Sequence, residues 1–600
     1  MSATSSPELI EQLLEEPTLG AAFLAAAELW PDRPSLRQFG SDRWLSLGGW
    51  ARRATAVAGG LSMLGVRPGD RVALLLSTRV EFHVVDMGAL LAGAVPFSLY
   101  VASPVEQLQP CIENALPRVL ITEAALAERA RQLRAACPVI EHVVVLDEGR
   151  EGELSLADLE QSAPAGFDPR PVVASMAGDD LCSLLYTSGT SGPPKGVRYV
   201  HRALMATMAA IHGRFPVAED GATVSYLPMA HIAERLFSHY AAFMFGYSVV
   251  SLGEMPRLVD ALREARPTRF FGVPRTWEKL QAAIEHHLDS DVEPEEARSY
   301  RAAWQRSIER VRAEQAGDSV VIDPPTADAE QARRLLSGLA AVVGLDRVEW
   351  ACIAGAPADP VTVEAFHALG VAVNELYGMS ETIMTAMSPR DRIRIGWAGP
   401  AMPDTSIKLA DDGEILISGP TVTPGYFRDP ERTHEAIDAD GWMHSGDIGE
   451  ISDDGYLRIV DRKKALIINS GGKNMSPATI EQAIKGGVPF LGQVVALGDR
   501  RPYNVALIVL DPEGLDALCR ARGIAPAPLA ELAQDPQVLE AVDAAVQHGN
   551  IRLARVEQIR RYAVLDHVWL PADFALTATA KLKRGQIAER YADLIDGLYA

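Results

Sequence analysis

"LLYTSGTSGPPKGV", running from Leu184 to Val197, decides how this chain is to be read. An apolar run that reads as a buried strand leads into two hydroxyl pairs, Thr187–Ser188 and Thr190–Ser191. Gly189 and Gly192 space them, and Lys195 follows. Amides freed by glycine, hydroxyl donors and one ammonium together suit an anion such as phosphate. A Walker A loop would need Gly-x-x-x-x-Gly-Lys-Ser/Thr. Here Pro193 and Pro194 precede the lysine and Gly196 follows it, so no helix starts with Lys195 in its first turn. A flexible polar loop is the plainer alternative, and the rest of the chain has to decide.

Bulk properties narrow the field. A chain of 600 residues is long for one core, so at least two domains are expected. With 48% hydrophobic and 23% charged residues it is an ordinary globular composition, not a disordered one. A net charge of -22 argues against a nucleic-acid partner, which needs a concentrated basic surface. The five cysteines are scattered without zinc-ligand spacing and read as small buried apolar residues in a reducing, cytoplasmic setting. The acidic start lacks signal-peptide order, and the longest apolar stretch, 87–101, is too short and interrupted to span a membrane. Peripheral membrane contact stays open.

Short β-rich runs alternate with helical segments between about Arg71 and Val273, among them "RVALLL" at Arg71 and "HVVVL" at His142. That alternation predicts an α/β domain with largely parallel sheets. From about 281 to 345 the chain turns charged and helical, with Tyr300, Trp304, Ile308 and Val311 on one stripe. It reads as a helical insertion packed on the outside, with "AGDSVVIDPPTADA" from Ala316 as a surface loop. Beyond Trp397, "DDGEILISG" and "DDGYLRIV" carry hairpin-turn chemistry. The polar, basic stretch from Asp461 marks a domain boundary, giving domains 1–461 and 462–600, the second a small α+β unit.

Four further stretches bear on the phosphate. "NELYGMSET" places Tyr377, Gly378, Ser380 and Glu381 within one turn: a ring to stack on a base, a hydroxyl for a phosphate, a carboxylate for a hard cation. "WMHSGDIG" presents Asp447 after a glycine, suited to a ribose diol, and "VDRKKALI" offers Arg462 and two lysines. "LTATAKLKR" sets Lys581 in a threonine-rich segment. Singly, each has a bland alternative: a core tyrosine, a surface glutamate, a turn aspartate, a solvated basic cluster.

Together and in this order these motifs resemble the adenylate-forming superfamily of acyl-CoA synthetases, luciferases and peptide-synthetase adenylation domains. The resemblance extends over nearly the whole chain, through "GVRPGDRVALLL", "AGAPAD", "GYFRDPERT" and "KLKR". "LPMAHIAERL", "VPRTWEKL", the helical insertion and "LTATAKLKR" resemble the bacterial long-chain fatty acyl-CoA synthetases. Thr579 and Ala580 stand where other branches carry Ser-Gly, and Ala358 where this branch commonly has leucine.

The resemblance implies a large N-terminal α/β domain, a small mobile C-terminal domain, and a long-chain fatty acid–CoA ligase using ATP, Mg2+ and coenzyme A. The loop Thr187, Ser188, Gly189, Thr190, Ser191, Gly192 and Lys195 would hold the phosphates that leave as pyrophosphate. Tyr377 and Gly378 would face adenine, opposite Gly355, Ala356 and Pro357. Asp447 and Arg462 would bind ribose, Ser380 a phosphate, and Glu381 the magnesium. Lys581 would bridge carboxylate and α-phosphate, with Lys464 as the hinge. His231 and Trp277 are candidates for the acyl site, against the plainer alternative of core residues. A ligase for another carboxylic acid, an acyl-AMP ligase loading a carrier protein, and a catalytically dead nucleotide-binding regulator are the rival readings. The implied location is cytoplasmic, with peripheral contact at the inner face of the membrane left open.

Overall fold

The computed structural model of the chain describes residues 7–187, 194–215, 221–317, 327–468, 474–571, 573–577 and 581–600. Its largest sheet runs, in spatial order, Leu154–Ser155, His142–Val145, Val119–Thr122, Arg71–Leu75, Val95–Ser98, Leu181–Thr187 and Lys195–Val200. All neighbours are parallel except the last pair, a hairpin. Parallel strands are covered on both faces and therefore read as unbroken apolar runs. In Arg71–Leu75, Val72 and Leu74 enter one core and Ala73 and Leu75 the other. Burying a valine or leucine is worth about 1.5–3 kcal/mol, so both faces of this strand stabilise the sheet.

Two four-stranded sheets complete the α/β part. One carries Ala222–Ser225, Ser248–Ser251, Pro34–Gln38 and Leu45–Ser46; the other carries Arg269–Gly272, Trp350–Ile353, Val373–Tyr377 and Ala386–Met387. Between Arg269–Gly272 and its neighbour Trp350–Ile353 the chain makes three helices, Pro274–Ser290, Pro294–Ala316 and Ala327–Val342. They form the helical insertion, and it docks as its stripe dictates. Trp304 and Val311 are buried, with Tyr300 and Ile308 packed against the same core. The proposed surface loop from Ala316 lies mostly outside the described residues.

The segment after Trp397 is an antiparallel sheet of Ser406–Leu409, Glu414–Ser418, Met443–Ile451 and Leu457–Arg462. Gly413 (φ +82°) and Gly455 (φ +83°) supply the left-handed turn residues between its strands. The C-terminal part has its own core around a mixed sheet of Leu491–Leu497, Asn504–Leu510 and Ile559–Leu565. Three of its helices start the same way, with a capping side chain followed by proline: Ser476–Pro477, Asp511–Pro512 and Asp535–Pro536. The cap satisfies a free amide, and proline costs nothing in the first turn.

This C-terminal unit rests on the helix Pro274–Ser290. Arg275 pairs with Asp511, Lys485 Nζ lies 3.1 Å from Glu278 Oε2, and Lys279 Nζ lies 3.3 Å from Glu513 Oε2. The Gln482 amide donates to the Ala358 carbonyl. The five cysteines are buried and unpaired, and no described helix is long and apolar enough to cross a membrane.

Candidate active site

The two parts of the chain meet across a cleft of about 3750 Å³, well beyond the ~300–1,000 Å³ of a single small-molecule site. Thr187 and Lys195 are paired across the neck of the hairpin that opens onto it. Ser188, Gly189, Thr190, Ser191 and Gly192 lie outside the described residues. The Lys195 ammonium stands 4.8 Å from the centre of the Tyr426 ring, and the Tyr426 hydroxyl donates to Glu381 Oε1 at 2.8 Å. One ring thus spaces a cation from a carboxylate on the cleft wall. Tyr426 was not singled out in the sequence, although "GYFRDPERT" contains it. It is held there by backbone pairing, with Phe427 N–H donating to Gly196 O at 2.7 Å. Gly425 before it has φ +119°, and a Cβ there would lie 2.3 Å from Thr433 Cγ2, so no other residue fits.

The turn that follows Val373–Tyr377 is unusually tight. A Cβ on Gly378 would lie 2.1 Å from Ile383 O, and Ile383 itself takes a left-handed φ of +61°. A β-branched residue in that region is strained, and surrounding bonds have to hold it. They do: Tyr199 Oη donates to Ser380 O at 2.7 Å, Thr423 N–H to Glu381 O at 2.7 Å, and Ile383 N–H to Met379 O at 2.7 Å. The result points Ser380 and the 9%-exposed Glu381 at the cleft. Mg2+ typically takes one or two carboxylates plus substrate phosphates and water. Glu381, with one oxygen on Tyr426 and the other left for a cation, fits that donor set.

Sheet register assembles the next group. Asp447 and Arg462 are directly opposed on antiparallel strands, and Arg462 Nε lies 2.8 Å from Asp447 Oδ1. Tyr377 Oη donates to Asp447 Oδ2 at 2.7 Å. Each carboxylate oxygen keeps a further lone pair for an incoming hydroxyl. Burial raises the Asp447 carboxyl pKa, and Arg462, Tyr377 and Lys581 act against the rise. Gly355, Ala356 and Pro357 line the same cleft beyond the strand Trp350–Ile353, Gly355 with φ +91°.

Lys581 comes from the C-terminal unit. It is held to Thr577 by two bonds, Thr577 N–H to Lys581 O at 2.9 Å and Lys581 N–H to Thr577 Oγ1 at 3.0 Å. Its side chain is solvent-exposed yet hemmed in by the cleft walls. That desolvation, with Arg462 next, lowers its pKa, while Asp447 and Glu381 pull it back up. Lys464 lies on the cleft just past Arg462.

His231 also faces the cleft. Its Nδ1 accepts Ala233 N–H at 3.2 Å, which assigns the ring proton to Nε2. Burial and then Lys581 push its pKa down to about 4, so the ring is neutral. Trp277 is placed differently from the acyl-site expectation. Its ring is fully buried in edge contact with Phe270 and Phe366, 5.2 and 4.8 Å between centres, and does not line the cleft. It is a core aromatic, because the stripe of its helix faces the core under the neighbouring sheet.

Known proteins resemble this chain over most of its length. The sequence profile of the AMP-binding enzyme family matches residues 23–427, and that of the AMP-binding enzyme C-terminal domain matches 464–600. A Mycobacterium tuberculosis protein with the provisional name fatty-acid–CoA ligase fadD11 is 41% identical over 75% of this chain and 79% of its own length. Long-chain-fatty-acid–CoA ligase FadD15 of the same species is 31% identical over 92% of this chain and 91% of its own. In fold, the chain is similar to the adenylation domain of a carboxylate reductase from Mycobacterium chelonae. The TM-score is 0.76 at 21% identity, covering 99% of this chain and 93% of that one.

Proposed function

The chain belongs to the AMP-binding enzyme family, and from that premise we propose that it is a long-chain fatty acid–CoA ligase working through an acyl-adenylate. The observation that carries the reading is that Lys581 of the C-terminal unit lines the same cleft as Asp447, Glu381 and Arg462, so charged groups from both parts of the chain gather there. The names of the similar ligases support fatty acids as the acid class.

A carboxylate is a poor electrophile at neutral pH and must be activated before a thiol attacks it. In the proposed first step a carboxylate oxygen attacks the α-phosphorus of ATP in line, forming the P–O bond while pyrophosphate leaves. Two anions approach each other, so positive charge is the main requirement. Lys581 would bridge the two, and Lys195 with the loop hydroxyls would hold the leaving phosphates. Magnesium, held through Glu381, would supply further charge neutralisation. Tyr377, Gly378 and Gly355–Pro357 would bracket adenine, and Asp447 with Arg462 the ribose.

In the second step the sulfur of coenzyme A attacks the acyl carbon, AMP leaves, and the thiol proton passes to solvent. Lys581 would obstruct that approach or be superfluous to it. The reading therefore includes a rigid-body rotation of the 462–600 domain against 1–461, pivoting at Lys464. A long-chain acid partitions into bilayers, which suits a cytoplasmic protein with peripheral membrane contact.

Mass spectrometry of products tests the whole reading. Protein, ATP, magnesium and carboxylic acids of graded length are incubated with and without coenzyme A. Long-chain acyl-CoA formed only with coenzyme A is the expected result. Acyl-AMP that persists with coenzyme A present would move the protein to carrier loading, and no adenylate from any acid would make it a nucleotide-binding regulator.

A further inference from the structure

The cleft wall that carries His231 is the turn Leu227–His231, and its anchoring is more elaborate than a surface turn needs. Glu234, 3% exposed, sits one residue beyond a bond already made by that turn. Its Oε1 accepts Ser225 Oγ at 2.6 Å and Ser238 Oγ at 2.6 Å; its Oε2 accepts Leu227 N–H at 3.3 Å. From the other side, Thr78 Oγ1 donates to Leu227 O at 2.7 Å. The start of the turn is therefore gripped at both backbone atoms of one residue.

The next residue, Arg235, is 1% exposed and fixes the far end. It pairs with Asp86 and donates to Ser98 Oγ at 3.1 Å and Tyr240 Oη at 3.2 Å. It opens a π-helical turn, Arg235–Tyr240, a rare geometry that concentrates at functional sites. Burying a carboxylate and a guanidinium costs free energy unless each is fully bonded, and a fold that needed only a packed wall would use apolar residues here. Burial raises the Glu234 carboxyl pKa to about 7, against the pull of its serine and backbone donors; Tyr226 and Tyr247 are the titratable groups that also face it.

We propose that Glu234 is a positioning residue for the acid-activating step: it fixes the Leu227–His231 turn, and through it the His231 Nε2–H, against the carboxylate of the acid. Arg235 holds the other end of the same segment to the large sheet. The proposal rests on the ligase reading for what His231 meets, and on geometry alone for the grip itself.

Glu234→Gln preserves size but turns an amide NH2 toward a donor. The acid KM should rise about tenfold, the cost of leaving the buried Leu227 N–H without its acceptor, while the ATP KM stays within about twofold because the proposed nucleotide residues lie on other elements. Equal rises in both constants, or no change in the acid KM, would overturn the proposal. If that variant does not fold, Ser225→Ala removes one donor and keeps the carboxylate. It should raise the acid KM about threefold with ATP unaffected, and an unchanged acid KM would likewise overturn it. Hydrogen exchange separates this from the activity reading. In Glu234→Gln the Leu227 amide should exchange about tenfold faster while the strand Ala222–Ser225 keeps its protection. A protected Leu227 amide sinks the grip even if every acid is turned over; a protein that activates no acid sinks the ligase reading and leaves the grip standing or falling on exchange.

Discussion

The phenol of Tyr377 donates to Asp447 Oδ2 across 2.7 Å, joining the end of a parallel strand to the middle of an antiparallel one. The two residues lie on different sheets, and the bond fixes the aromatic ring relative to the carboxylate. Arg462 completes the group from the strand opposite. In the proposed ligase, a stacking surface and a diol acceptor are thereby held at one spacing before any nucleotide arrives, which reduces the ordering that binding must otherwise bear.

Asp447→Asn should break this group. The amide loses the charge that Arg462 pairs with and offers that arginine no better than a neutral acceptor. A bond to a charged partner contributes about 1.5–3 kcal/mol, so ATP affinity should fall about 10- to 100-fold. Tyr377→Phe deletes one hydrogen bond and keeps the ring, and should cost only about fivefold. Calorimetric titration with ATP checks both. A larger loss from the phenylalanine than from the asparagine would show the ring's orientation matters more than the acceptor.

The large sheet, the helical insertion and the late hairpins were legible in the sequence because each has a strong period or turn signal. Tyr300, Trp304, Ile308 and Val311 could only face one way. The residues expected around a nucleotide stood out as motifs, and the cleft does gather Thr187, Lys195, Tyr377, Glu381, Asp447 and Lys581. What escaped was whatever depends on pairing between distant segments. Tyr426 reaches Glu381 through a bridge to Val197, and no local pattern announces that contact. Trp277 was a candidate for the acyl site against the alternative of a core aromatic, and the phase of its helix turns it into the core. Glu234 and Arg235 were not singled out, because their burial becomes visible only with Asp86 and Ser225 folded around them.

Lys581→Ala should separate the two half-reactions. The ammonium shares the cleft with Asp447, Glu381 and Arg462 in the present arrangement, which in the proposed mechanism is the one for adenylation. Losing a charge that faces the transferring phosphate typically costs two to three orders of magnitude, roughly 3–4 kcal/mol. Pyrophosphate release from acid and ATP should fall by that factor. Thioester formation from supplied acyl-adenylate should stay within about threefold, since in the proposed mechanism the rotated domain would not use this side chain. Equal losses in both assays would rule out a single-step role.

His201 gives the large domain a predictable weakness to acid. Its Nδ1 accepts Leu19 N–H at 3.2 Å, tying the start of a helix to a segment 182 residues earlier. Burial pushes its pKa down to about 4, with Asp180 pulling slightly the other way. An unfolded histidine titrates near 6.5. Between those values the unfolded chain binds the extra proton and the folded one does not. The stabilisation is therefore complete above pH ~6.5 and is lost as pH falls toward 4, by about 3 kcal/mol over the full window. Urea unfolding at pH 7.5 and 5 should show wild type losing about 2 kcal/mol more than His201→Asn over that step. Identical losses would mean that the ring titrates normally.

The contacts that seat the C-terminal unit on the helix Pro274–Ser290 should set how often the enzyme stands ready to adenylate. Arg275–Asp511, Lys485–Glu278 and Lys279–Glu513 are all partly exposed, with side-chain exposures of 38/17%, 25/27% and 50/79%. Each such pair is worth about 0.2–1 kcal/mol and is screened by salt. Weak contacts suit the domain rotation proposed above, since a buried apolar interface would hold the unit in one place. Replacing Arg275, Lys279 and Lys485 together by alanine should remove about 1–2 kcal/mol, shifting the domain balance about 5- to 30-fold from this arrangement. Where the domain position limits adenylation, pyrophosphate release slows accordingly, and thioester formation from acyl-adenylate is unchanged or faster. Raising salt from low to about 0.5 M should slow the wild type and leave the triple variant nearly indifferent, because it has no such pairs left to screen. A variant that keeps the wild-type rate and the wild-type salt dependence would show that the seating of the small domain is governed elsewhere.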